Sequence, residues 1–132
     1  MESIQKYSLF GIAVVALLTA MNVLIGGASA IPGAVGGVEA AVDNELRFFS
    51  VFWLAFGGCC FWVAKNIQEQ RKLIPFISLA FFLGGVGRLC SLLWVGSPGD
   101  ILFSAMILEF VLPVVMYLSY QAQNKKMMQQ IA

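Results

Sequence analysis

The sequence predicts an all-α fold, an integral membrane four-helix bundle, on three observations. Of its residues 60% are hydrophobic and 11% charged, against about 45–50% and about 25% in soluble domains. The apolar residues gather into four runs of about 20, enough for a helix to cross about 30 Å of hydrocarbon. The basic residues between those runs fall on alternate connections. At 132 residues the chain reads as a single transmembrane domain over 1–132.

The first span is expected at 7–26, after Lys6. A lysine, an apolar run and then ASA at 28–30 also fit a secretory signal with its cleavage site. The run of about 17 apolar residues exceeds the usual 7–15 of such a signal, so a first span is the preferred reading. The connection IPGAVGGVEAAVDN is glycine-rich, with room for a short helix near 38–42. Asn44 offers an N-cap for a second span at 45–64. After KNIQEQRK comes a third span at 73–94, with Pro75 near its start, where a missing N–H costs nothing. SPGD is a turn signal, and a fourth span follows at 101–120. The remaining QAQNKKMMQQIA reads as a frayed helix end.

Lys6, Lys65, Arg71, Lys72, Lys125 and Lys126 share one side of such a bundle. The loops of the other side hold Glu39, Asp43 and Asp100 but no Lys or Arg. The positive-inside rule then places both termini of a multi-pass chain in the cytoplasm. Trp62, Trp94, Tyr117 and Tyr120 stand near span ends, where interfacial aromatic rings belong.

A net charge of +1 leaves no basic face for nucleic acid. Histidine is absent, which removes the commonest metal ligand. Cys59, Cys60 and Cys90 lack metal-ligand spacing and read as small packing residues. Neither a metal nor a cofactor is expected. The GGVG run has no strand before it, so it reads as helix packing rather than a nucleotide loop.

Four charged residues fall within the spans: Glu45, Arg47, Arg88 and Glu109. A charge near the bilayer centre costs about 2.5–3.5 kcal/mol on insertion scales and persists by facing the bundle interior with a partner. At 1.5 Å per residue, Arg88 lies roughly 9 Å in from Trp94, and Glu109 roughly 13 Å in from Asp100. Their spans are antiparallel and tightly joined, so the two are expected to pair. Glu45 and Arg47, about 2–5 Å deep, read as an interfacial salt bridge, with Arg47 alternatively a donor to a pocket.

Helical spacing extends this polar interior. Gly84, Arg88 and Ser91 share one face of the third span. Arg47, Ser50, Leu54, Gly57 and Gly58 form a stripe on the second, and Ser8, Gly11, Val15, Thr19, Asn22 and Gly26 one on the first. Such small residues let membrane helices approach closely, and hydroxyl or amide groups bond across them. Pro113 cannot donate to the carbonyl of Glu109, which suggests a kink there. The candidate intramembrane site is thus Arg88, Glu109, Arg47, Glu45, Ser91, Ser50 and Asn22. It is either a clamp that sets helix register or an outward-opening pocket for a polar or anionic head group.

NELRFFSVFWLAFG at 44–57, FFLGGVGRLCSL at 81–92 and the acid of LEFVLP at 108–113 carry a family resemblance. Over roughly 7–120 the chain resembles the bacterial family catalogued as domain of unknown function 4345. Glu45, Arg47, Gly84, Arg88 and Glu109 match its recurring positions. The resemblance implies a small four-helix inner-membrane protein and no particular activity.

Without a nucleophile, metal set or second acid–base partner, the chain does not read as an enzyme. An accessory or scaffold subunit is the first expectation, its helices packing on a larger membrane assembly or on copies of itself. The alternative is a binder or carrier of a lipid, isoprenoid or quinone-like molecule. Membrane lipids are the partners either reading implies.

Overall fold

The computed structural model describes residues 2–131, with side chains described for 2–129. Helix α1 spans Glu2–Gly26 and ends in a 3-10 turn, Gly27–Ala30. Helix α2 is Ala40–Lys65, the one-turn α3 is Ile67–Gln70, and a 3-10 turn at Arg71–Leu73 leads into α4, Ile74–Trp94. Helix α5 is Asp100–Ile131. All four long helical segments are long and apolar enough to cross a membrane.

Two helix boundaries differ from the sequence expectation. Helix α2 starts at Ala40, with Glu39 in the cap position, so Asn44 lies inside the helix and residues 38–42 form no separate element. The reason is local: no glycine or proline lies between Gly37 and Gly57, and two alanines, the strongest helix formers, open the run. At the far end, α5 continues to Ile131 rather than fraying. Its 32 residues extend about 48 Å, well beyond the roughly 30 Å of a hydrocarbon layer. Arg71 braces the overhang: Nη2 donates to Asn124 Oδ1 at 2.9 Å, and Nη1 to Met127 Sδ at 2.8 Å. Its guanidinium also sits 5.9 Å from the Tyr120 ring centroid.

The chain forms two hairpins, α1 with α2 and α4 with α5, and contacts between α1 and α5 join them. Gly57 sets the closeness of the first hairpin, since a Cβ there would stand 3.0 Å from Ala16 Cβ. Gly58 meets nothing within 4 Å, so only one of the two adjacent glycines serves packing. Leu9, Ile12, Cys60, Val63, Ile74 and Met116 are buried together. This core occupies the half of the bundle nearest the termini. A slab of nearly parallel rings bounds it: Trp53 stacks on Phe56 at 5.3 Å and Phe81 on Trp53 at 6.2 Å. Large apolar side chains such as Phe76, Ile25 and Leu93 are exposed on the outer faces, as hydrocarbon-facing residues would be.

Candidate functional site

Helices α4 and α5 bring Arg88 and Glu109 together in the half of the bundle away from the termini. Arg88 Nε donates to both carboxylate oxygens, at 3.0 Å to Oε1 and 2.8 Å to Oε2. The acid is the deeper partner, its side chain 8% exposed against 39% for the arginine. Two glycines make room for it. A Cβ on Gly85 would lie 3.2 Å from Glu109 Cβ and 3.3 Å from Phe110 Cζ, while one on Gly84 would face Oε2 at 3.8 Å. The small residues around the arginine thus admit a carboxylate where a larger side chain would hold the helices apart. Pro113 stays within a continuous α5, one turn beyond Glu109, and it cannot donate to the Glu109 carbonyl.

The pair lies in the wall of a partly open cavity of about 620 Å³ bounded by all four long helices. Helix α1 contributes Gly11, Val15, Thr19 and Asn22, and α5 contributes Ala105, Leu108 and Leu112. Trp53 and Phe81 line it from α2 and α4, and Ile31 and Pro32 from the loop after α1. The Trp53 indole is fixed by donating Nε1–H to Thr19 Oγ1 at 2.8 Å. Most of the lining is apolar, with Arg88 and Glu109 its only charged side chains among the described residues. Arg88 Nη1 and Nη2 make no hydrogen bond among the described residues, so two donor groups stay available beside the cavity.

The other residues expected at the site divide. Ser50 is buried and lines the cavity, although its hydroxyl already donates to the Leu46 carbonyl at 2.7 Å. Asn22 lines it too, and donates Nδ2–H to the Ala30 carbonyl at 3.0 Å, tying the loop to α1. Ser91 is exposed and outside the lining. Glu45 is exposed and makes no ion pair among the described residues.

The expected Glu45–Arg47 bridge is therefore corrected. Arg47 pairs with Asp43, Nε donating to Oδ2 at 2.7 Å. Residues two apart on a helix do not face each other, whereas residues four apart do. Arg47 also donates through Nη1 to the Leu24 carbonyl, and Asp43 Oδ1 accepts the Ala28 N–H at 2.8 Å. Together they close the end of the α1–α2 hairpin and satisfy backbone groups where α1 stops. Arg47 is thus committed to structure, and the cavity lining does not include it.

Asp43 and the aromatic wall were not singled out from the sequence. The i, i+4 spacing in DNELR could have indicated Asp43. Trp53 and Phe81 carry no comparable signal, because apolar rings at helical spacing are ordinary in such spans.

A family model described as Domain of unknown function (DUF4345) matches residues 4–120. That is most of the chain, and the chain belongs to this family. No curated protein matches it, and no solved structure does.

Proposed function

We propose that this member of the DUF4345 family is a bacterial inner-membrane protein, both termini cytoplasmic, that binds an amphipathic lipid, isoprenoid or quinone-like molecule. The supporting observation is the cavity. Its volume of about 620 Å³ falls in the roughly 300–1,000 Å³ range of small-molecule sites, which are mostly apolar with a few convergent polar groups. A simple register clamp needs no space beside it, and the Arg88–Glu109 pair has that space. In this reading Arg88 receives the head group, Glu109 holds the guanidinium in place, and the tail lies against Trp53 and Phe81. No catalytic step is assigned to these residues. The accessory-subunit reading has no comparable geometric support, since apolar outer faces suit contact with lipid or protein equally.

The test is to purify the full chain in mild detergent and identify co-purifying lipids by mass spectrometry, for wild type and for the double variant Arg88→Leu/Glu109→Leu. A defined amphiphile present in the first and lost from a folded second supports the reading. An identical lipid profile in both refutes it.

A further inference from the structure

We propose that the cavity selects an uncharged head group, a hydroxyl or carbonyl oxygen on an apolar tail, and that Glu109 excludes acidic ones. This rests on the binding reading above and makes its ligand class specific.

The first argument is charge balance. Among the described residues, Arg88 and Glu109 are the only charged ones in the lining, and they are bonded to each other. The cavity is therefore neutral before any ligand arrives. Arg47, the other arginine in that half of the bundle, is held by Asp43 and by the end of α1. A phosphate or carboxylate entering the cavity would compete with Glu109 for one guanidinium and leave a net negative charge. In a low-dielectric site, unlike in water, that repulsion is not screened away.

The second argument is hydrogen bonding. Arg88 uses Nε on Glu109, and its Nη groups bond to no described residue. A neutral oxygen can accept from them without displacing Glu109 and without changing the net charge.

Size and lining complete the description. The volume of about 620 Å³ is roughly four times the ~150 Å³ void that takes up one benzene. That accommodates a single chain or a ring with a short tail. Phe81 is seven residues from Arg88 on α4, roughly 10 Å along the axis. A tail reaching that far would lie on the stacked faces of Trp53 and Phe81.

Two probes with one tail isolate the head group: radiolabelled farnesol and radiolabelled farnesyl monophosphate. Each is titrated onto the full-length protein in nanodiscs of zwitterionic lipid, with empty nanodiscs as blank. Wild type is expected to bind farnesol saturably, and the phosphate at least about tenfold more weakly, because like charges are forced together. Glu109→Gln keeps the shape but leaves Arg88 unneutralised, and the preference should invert.

Equal or tighter binding of the phosphate by wild type overturns the proposal and leaves the binding reading standing. An unchanged preference in Glu109→Gln overturns the role given to Glu109. No saturable binding of either probe overturns both this inference and the reading beneath it. Helicity and gel filtration in detergent establish that the variant is folded; if it is not, the wild-type comparison decides alone.

Discussion

Removing one member of the Arg88–Glu109 pair should cost unequal amounts, depending on which member goes. Glu109 is 6% exposed, and both its oxygens accept from a single nitrogen. Arg88→Leu strands that carboxylate in the bundle, and breaking a buried pair costs about 3–5 kcal/mol. We take the lower end, about 3 kcal/mol, because the open cavity beside the pair softens the penalty. Glu109→Leu instead strands a guanidinium whose side chain is 39% exposed. Its head can move toward the bundle end, so the cost falls to about 1–2 kcal/mol. In the double variant no charge is stranded, and replacement of a pair by apolar residues is often near neutral, here within about 1 kcal/mol. With the double variant neutral, the coupling energy is then about 4–5 kcal/mol. Titration with sodium dodecyl sulfate in mixed micelles, followed by far-ultraviolet circular dichroism, measures all four corners of the cycle. Equal losses in the single variants, or a double variant as unstable as their sum, would falsify the pairing energetics argued here.

Three further outcomes follow from other parts of the molecule. Gly85→Val, whose Cβ would crowd Glu109 and Phe110 at 3.2 and 3.3 Å, should destabilise by about 1–3 kcal/mol in the same titration. Gly87→Ala, with nothing within 4 Å, should be neutral or stabilise by up to about 1 kcal/mol through helix propensity; similar losses in both would refute the packing role of Gly85. Asp43→Ala removes the acceptor of the Ala28 N–H and the partner of Arg47, so amide exchange over residues 24–31 should accelerate at least about tenfold, the equivalent of one lost hydrogen bond. Alkaline phosphatase inserted at Gly36 should be active in a bacterial host and inactive when fused after Ala132; the reverse pattern would overturn the proposed orientation.

Much of the site's depth was legible in the sequence because depth in a helical hairpin is arithmetic. With a constant rise per residue and the short connection between Trp94 and Asp100, Arg88 and Glu109 come nearly level, and the structure has them hydrogen bonded. The glycines beside Arg88 were legible as small residues, but their division of labour was not. A Cβ on Gly85 would crowd Glu109 and one on Gly87 would meet nothing within 4 Å, a difference set by where α5 lies. Arg47 shows the same limit: its partner follows from the i, i+4 rule, whereas its bond to the Leu24 carbonyl depends on how α1 ends.

Composition and apolar run length determined the helical class and the four long segments, because each is set by residues close together in the chain. Hydropathy was less informative at the boundaries: α2 begins before its apolar run and α5 outlasts its own, since helix propensity and Arg71 contacts extend them. Only the tertiary structure decided that a cavity remains between the helices, that a wall of stacked rings lines it, and that one of two arginines reaches it. Empty space between helices is a property of their crossings and of which faces meet. No local pattern encodes that, since the same small and aromatic residues could equally have closed the gap.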